Sequence, residues 1–134
     1  MGDSVLLAVT AGTRARLNAA LGSHSLAWVE TLDEVGVALA GRRFDLIVIG
    51  ARFDESHAFE VLRSAIAAQP RARVACLRGV EPPSLLGKPA VEAFRVACEA
   101  LGATLVLDLA DYPDDDTGNR AMRDLLEHEL ELVA

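Results

Sequence analysis

One stretch in the middle of the chain, residues 44–63, constrains the fold more than any other. It reads FDLIVIGARFDESHAFEVLR. Phe44 to Ile49 is a short apolar run with β-branched residues, which predicts a strand buried on both faces, as in a parallel sheet covered by helices. Apolar residues then recur at helical spacing, at Ala58, Val61, Leu62, Ala65 and Ile66. The stretch therefore predicts a buried strand, a short loop and an amphipathic helix.

The same strand-then-helix unit recurs along the whole chain. Strands are predicted at Ser4–Val9, Leu26–Glu30, Phe44–Ile49, Arg73–Leu77 and Thr104–Leu107, and helices at about Arg14–Leu21, Leu32–Ala40, Ala58 to before Pro70, Pro89–Leu101 and Gly118–Leu132. Such alternation is typical of α/β proteins with right-handed parallel βαβ units. We expect a three-layer sandwich whose five-stranded parallel sheet has the flavodoxin-like order 2-1-3-4-5. Residues 1–134 are expected to form a single domain of this kind.

Capping residues and glycines mark the predicted helix ends. Thr13 is expected to cap the first helix, and Thr31 with Glu34 fits a capping box at the second. Trp28, the only tryptophan, is expected to pack at the sheet edge. The pair Pro82-Pro83 predicts an irregular segment after the fourth strand. The residues of the last helix that are predicted to face the core are Ala121, Met122, Leu125, Leu126 and Leu130.

Composition and charge exclude several classes of partner. Hydrophobic residues make up 51% of the chain, which is enough for a core without metal or disulfides. The net charge of −7 is a poor match for nucleic acid or an anionic membrane, so neither is expected as a partner. No apolar run approaches the length of a membrane span, and no signal leader is recognised, so we expect a cytoplasmic protein. Cys76 and Cys98 are predicted to be reduced, buried thiols rather than a disulfide.

The third strand-helix unit resembles the corresponding unit of bacterial response-regulator receiver domains, the CheY-like family. Asp45-Leu46 matches the start of the family's pattern, Arg52-Phe53-Asp54 falls in its loop, and residues 57–63 (HAFEVLR) match its helix start. Gly102-Ala103 resembles the pair that precedes a receiver's last strand. The resemblance covers the whole chain in topology and about twenty residues in pattern. It implies the 2-1-3-4-5 sheet and a role in two-component signal transduction.

The positions that carry receiver chemistry differ in this chain. The phosphoacceptor aspartate is replaced by Gly50, and the acidic pair that holds Mg²⁺ in the family is replaced by Thr10 and Ala11. Arg78 stands where the family has Thr or Ser, and Asp108 and Leu109 fall where it has its lysine. The resemblance therefore implies a degenerate pseudo-receiver that is not an enzyme and has no cofactor or metal. Asp45 and Asp54 are the weaker alternatives for a phosphoacceptor.

The resemblance also implies a contact surface. Receivers signal and dimerise mainly through the face built from their fourth helix, fifth strand and fifth helix. The matching face here comprises Pro89–Leu101, Thr104–Leu107 and Gly118–Leu132. Its predicted outward polar residues are Glu92, Arg95, Glu99, Arg123, Glu127 and Glu131. A protein partner or a second copy of the chain is expected there, while an ordinary solvated face also accounts for these residues.

A second function follows from where the strands end. In open α/β sheets ligands bind beyond the carboxyl ends of the strands. The residues predicted there as ligands of a small anion or nucleotide are Thr10, Gly12, Thr13, Arg52 and Arg78. Arg78 is also predicted to form an ion pair with Asp108 or Asp111 that fills the old acidic pocket. The acidic residues of 108–116 are interpreted as support for the following helix rather than as a metal site.

Overall fold

A computed structural model describes residues 3–78 and 87–133 of the chain. The strands are β1 (Ser4–Ala8), β2 (Ser25–Val29), β3 (Leu46–Gly50), β4 (Arg73–Arg78) and β5 (Leu105–Asp108). The helices are α1 (Ala11–Leu21), α2 (Leu32–Gly41), α3 (Phe53–Ser56), α4 (Ala58–Ala68), α5 (Gly87–Ala100) and α6 (Asp116–Glu131). A 3₁₀ turn spans Leu109–Asp111. The predicted irregular segment with Pro82 and Pro83 lies outside the described residues.

The sheet has the predicted topology. Its strands are ordered β2-β1-β3-β4-β5, and all neighbouring pairs are parallel. Gly50 is the last residue of the central strand and pairs with Leu77 of β4. The α/β prediction with strand order 2-1-3-4-5 is therefore confirmed. The carboxyl ends of β1, β3, β4 and β5 meet at one edge, where the predicted ligand residues lie.

Both faces of the sheet are covered, and β3 shows why its sequence is apolar throughout. All five of its residues are buried. Ile47 and Ile49 face a core shared with α2, α4 and α5, whereas Leu46 and Val48 face the core under α1 and α6. Successive side chains of a strand point to opposite faces, so a strand covered on both sides has no position that suits a polar residue.

The first helix begins three residues earlier than predicted. Its N-cap is Thr10, which makes no side-chain capping hydrogen bond, and the predicted cap at Thr13 is wrong. The first turn closes through the backbone, since the Arg14 amide donates to the Thr10 carbonyl at 2.9 Å. At α2 the prediction is half confirmed. The Glu34 amide donates to the Thr31 hydroxyl at 3.2 Å, but the Glu34 carboxylate accepts from the Glu30 amide instead of the Thr31 amide.

The acidic segment before α6 supports that helix, as predicted. Asp115 is the N-cap and its carboxylate accepts from the Gly118 amide at 2.7 Å. Asp116 lies in the first turn, where a negative charge is favourable next to the helix N-terminus. The inward face of α6 differs from the prediction at two positions, because Ala121 is exposed and Glu129 is buried.

The two cysteines are buried free thiols in the core beneath α5. The side-chain hydrogen bond with Cys98, together with burial, raises the pKa of the Cys76 thiol above its ordinary value. The Cys76 thiol is therefore protonated and unreactive at neutral pH.

Among the described residues, no helix is both long and apolar enough to cross a membrane.

Candidate functional site

A cavity of about 420 Å³ opens where the strands end. We call it the carboxyl-edge cavity, and it is lined by Thr10, Gly12, Thr13, Arg16, Gly50, Ala51, Arg52, Leu77, Leu109 and Asp114. The structure thus brings together most of the predicted ligand residues, namely Thr10, Gly12, Thr13 and Arg52. Arg78 is not part of the lining. The cavity lies between the start of α1 and the segment after β3, as expected for an α/β sheet of this order.

Gly50 forms the floor of this cavity and leaves room for a side chain. It is buried, and a Cβ atom placed on it would lie 3.5 Å from the Cα and Cγ1 atoms of Val9. These are ordinary van der Waals distances, so the geometry at this position does not demand glycine. The neighbour that contacts Gly50 is Val9, which sequence reasoning did not single out. No residue of 8–13 is acidic, so the end of β1 offers no carboxylate in any alignment with a receiver.

Arg16 was not predicted as a site residue, and it organises one wall of the cavity. Its Nε donates to the Asn119 side-chain oxygen at 2.7 Å. Its Nη2 donates to the backbone carbonyls of Tyr112 and Pro113. The Asp114 carboxylate lies 3.7 Å from Nε. Arg16 therefore holds α1 against the segment that leads into α6, and its own hydrogen-bonding capacity is directed at the protein.

Arg78 forms the predicted ion pair with Asp108, in the last pair of residues that β4 and β5 share. The Arg78 Nη1 and Asp108 Oδ2 atoms are 3.8 Å apart, which is beyond hydrogen-bonding distance. Asp108 also accepts from the Ala110 amide at 3.1 Å and so starts the 3₁₀ turn. Because neither residue of the pair lines the carboxyl-edge cavity, the prediction that this pair fills it is wrong.

Apolar residues form the rest of the wall. Leu109, which the resemblance aligns with the lysine of receivers, is buried and faces the cavity together with Leu77. Ala11, which the resemblance aligns with one residue of the family's acidic pair, is exposed in the first turn of α1. Trp28 lies at the sheet edge, as predicted, and its Nε1 donates to the Val9 carbonyl at 3.2 Å. This hydrogen bond fixes the backbone that leads from β1 into the cavity wall.

Asp45 and Asp54, the alternative phosphoacceptors, both have structural partners away from the cavity. The Asp45 carboxylate accepts from the Ser4 amide at 2.8 Å, at the opposite edge of the sheet. The Asp54 carboxylate accepts from the Leu32 amide at 2.8 Å, at the start of α2. Asp54 has a φ of 45°, a conformation that aspartate tolerates better than most residues. No group of three or more potential metal ligands occurs within residues 3–78 and 87–133.

Comparisons with known proteins find similarity in structure alone. Neither a protein-family profile nor a curated protein matches this sequence. A response regulator from Thermotoga maritima superposes with a TM-score of 0.75 at 13% identity, covering 98% of this chain and 99% of that one. The phosphorylated cyanobacterial phytochrome response regulator RcpA gives a TM-score of 0.75 at 16% identity, covering 100% of this chain and 97% of that one.

A third similar structure belongs to a larger protein. The signal receiver domain of an HD-domain-containing protein from Pseudomonas fluorescens gives a TM-score of 0.67 at 21% identity, over 98% of this chain and 99% of that one. At these identities the likeness concerns the path of the backbone, and it extends over nearly the whole of each chain. The protein therefore has the fold of response-regulator receiver domains.

Proposed function

We propose that the chain is a receiver-like module of bacterial signalling that accepts no phosphoryl group and acts by contact with another protein. One observation carries the proposal. Gly50 ends the central strand at the floor of the carboxyl-edge cavity, with Val9 beside it and no carboxylate on residues 8–13. An aspartyl phosphoacceptor supplies a nucleophilic carboxylate oxygen, and the Mg²⁺ beside it needs oxygen ligands, usually carboxylates.

The polar groups that do line the cavity do not replace this chemistry. Thr10 and Thr13 supply hydroxyls without an adjacent base, and Arg16 supplies positive charge. The Asp114 carboxylate is largely exposed and accepts from the Asn119 side-chain amide at 2.9 Å. The charged residues of the lining are Arg16, Arg52 and Asp114, so the cavity has two cations and a single carboxylate and lacks the set of carboxylates that a divalent cation needs.

The first test is phosphorylation by a small donor. After incubation with acetyl phosphate, with and without Mg²⁺, we expect intact-mass spectrometry to detect no gain of one phosphate. A phosphorylatable receiver treated in parallel should gain that mass and thereby validate the conditions. A phosphate gain that disappears in Asp45→Asn or Asp54→Asn would contradict the proposal, since these are the alternative acceptors.

The contact surface that we propose comprises α5, β5 and α6. Two large apolar side chains are strongly exposed there, Val96 on α5 at 57% and Leu132 at the end of α6 at 47%. Arg95 and Glu99 lie 3.8 Å apart on α5, so this part of the face carries charges of both signs. Glu127, predicted to point outward on this face, instead lies 2.6 Å from the His24 ring. Apolar side chains surrounded by charges are typical of protein interfaces.

The contact surface is tested by sedimentation across a concentration series. If two copies pair through this face, we expect Val96→Glu to shift the dimer towards monomer, because a charge would be buried without a partner. Val37→Glu is the matched control, since Val37 is exposed at 75% on α2, away from this face. A dimer that Val37→Glu disperses and Val96→Glu does not would contradict the proposed face. A monomer at every concentration would exclude self-pairing and leave a different protein as the partner.

The alternative function, binding of a small anion in the carboxyl-edge cavity, has one observation in its favour. The Thr10 side chain does not cap α1, so it accepts no hydrogen bond from the first amides of that helix. Amides at a helix N-terminus that lack such an acceptor can bind an anion. Against it, Arg16 is already bonded to the protein and Arg78 lies outside the lining. We therefore rank anion binding at this edge second to protein contact.

A further inference from the structure

A second cavity, of about 550 Å³, lies at the opposite edge of the sheet, where α2 and α4 end. We call it the arginine cavity, and it is lined by residues 39–44 and 68–72. Its apolar part includes Leu39 and Phe44, both of which are largely buried. Its volume falls within the range of small-molecule sites in proteins. It shares no residue with the carboxyl-edge cavity or with the proposed contact surface.

The walls of the arginine cavity are fixed by side-chain hydrogen bonds. Gln69 accepts from the Phe44 amide at 2.8 Å and donates to the carbonyls of Leu39 and Arg42 at 3.0 and 2.7 Å. One side chain thus joins the end of α4 to the end of α2. Arg42 donates to the Ser4 hydroxyl at 2.7 Å, and its guanidinium lies 5.0 Å from the centre of the Phe44 ring. The cavity is therefore pre-formed, as binding sites usually are.

The charge of the lining has one sign. Its charged residues are Arg42, Arg43 and Arg71, and no carboxylate lines the cavity, although the chain as a whole has a net charge of −7. The backbone carbonyls near the ends of α2 and α4 accept hydrogen bonds from backbone amides rather than from these arginine side chains. The Arg42 amide donates to Ala38 at 3.2 Å, and the Gln69 amide donates to Ala65 at 2.8 Å. Capping of the helices therefore does not require the guanidinium groups of Arg43 and Arg71.

We infer that the arginine cavity binds a small organic anion, a carboxylate or a phosphate monoester attached to an apolar body. Guanidinium groups bind both kinds of oxyanion through paired N–H donors. The apolar body would lie against Leu39 and Phe44, and the anionic group would lie between Arg43 and Arg71, which are exposed at the rim. Binding in this place is independent of the proposed function, since neither the absent phosphoacceptor nor the contact surface takes part.

The test is an amide NMR titration of the whole chain with benzoate and with phenyl phosphate. We expect saturable shifts with a Kd of about 1 mM or below for at least one of them, and the comparison shows which oxyanion is preferred. Benzyl alcohol, which lacks the charge, should give no saturable shift. In Arg43→Gln/Arg71→Gln we expect the Kd to rise about tenfold or more, because hydrogen bonds to charged groups are lost. In Ala40→Trp, which fills the cavity without changing its charge, binding should also be lost.

The matched control is Arg63→Gln/Arg120→Gln, which removes two exposed arginines from α4 and α6 and changes the net charge equally. It should leave the Kd within about twofold, since screened charges far from a site contribute little. Absence of saturable shifts with both anions would overturn the inference. Equal weakening in the control would also overturn it, because the effect would then be one of net charge. A signal lost in Arg52→Gln but kept in Arg43→Gln/Arg71→Gln would assign binding to the carboxyl-edge cavity and overturn it as well.

Discussion

Arg73→Met is expected to lower the free energy of unfolding by about 3 kcal/mol, because it leaves a buried carboxylate without its cation. The Arg73 Nε lies 2.7 Å from Glu129 Oε2, and the Glu129 side chain is only 7% exposed. The Thr104 hydroxyl is 3.1 Å from the same oxygen. That hydroxyl has a single proton and is also 3.0 Å from the Val74 carbonyl, so it is a poor replacement for the guanidinium. Urea denaturation of the variant and the parent chain measures the loss.

A double variant separates the buried charge from the pair itself. In Arg73→Met/Glu129→Leu we expect most of the loss to be recovered, to within about 1 kcal/mol of the parent, since apolar residues often replace a buried ion pair without loss. Thr104 would keep the Val74 carbonyl as its acceptor. Arg63→Met, at an exposed position on α4, is the control and should change stability by less than about 0.5 kcal/mol. A double variant no more stable than Arg73→Met alone would contradict this explanation.

Gly118→Ala is expected to destabilise the fold by about 3 kcal/mol through steric overlap at the start of α6. A Cβ atom on Gly118 would lie 2.0 Å from the Pro113 carbonyl oxygen, so the segment before the helix must move. That carbonyl accepts from the Asp115 amide at 2.8 Å and from Arg16 at 3.2 Å. Both hydrogen bonds are weakened by the displacement, which adds to the cost of overpacking. Thermal and urea unfolding of the variant check the expected loss.

Gly50→Ala is the matched control for Gly118→Ala. Its Cβ would meet Val9 at 3.5 Å, and no backbone atom would have to move. We expect stability within about 1 kcal/mol of the parent, with a small gain if the loss of backbone freedom in the unfolded chain dominates. Equal effects at Gly50 and Gly118 would indicate that glycine content, rather than the contact with Pro113, determines the outcome.

The fold was predictable from the sequence because each unit repeats one pattern. Every residue of β3 is apolar, so helices must cover both faces of the strand. Strands that alternate with helices along the chain form a parallel sheet of this kind. Single-residue details were less predictable. The start of α1 was misplaced because Thr10 and Thr13 are equivalent as caps in sequence, and only the backbone path from Val9 separates them. Burial of Glu129 depends on Arg73 of β4, a partner that helical periodicity does not reveal.

The carboxyl-edge cavity was predictable in part, for a geometric reason. Residues that follow parallel strands meet at one edge, which placed Thr10, Gly12, Thr13 and Arg52 together. Arg16 was missed because its partners, Tyr112 to Asn119, are remote in sequence. The arginine cavity was missed because it is formed by the ends of α2 and α4, which belong to different strand-helix units.

The pairing of α1 with α6 has a consequence for how the chain folds as it is synthesised. Leu17 and Leu21 of α1 share one core with Met122 and Leu126 of α6, and Arg16 bonds to Asn119. The face of the sheet beneath α1 therefore remains partly uncovered until α6 has left the ribosome. A nascent chain that stops before α6 exposes this apolar face to solvent, so the final helix sets the moment at which the domain becomes resistant to proteases.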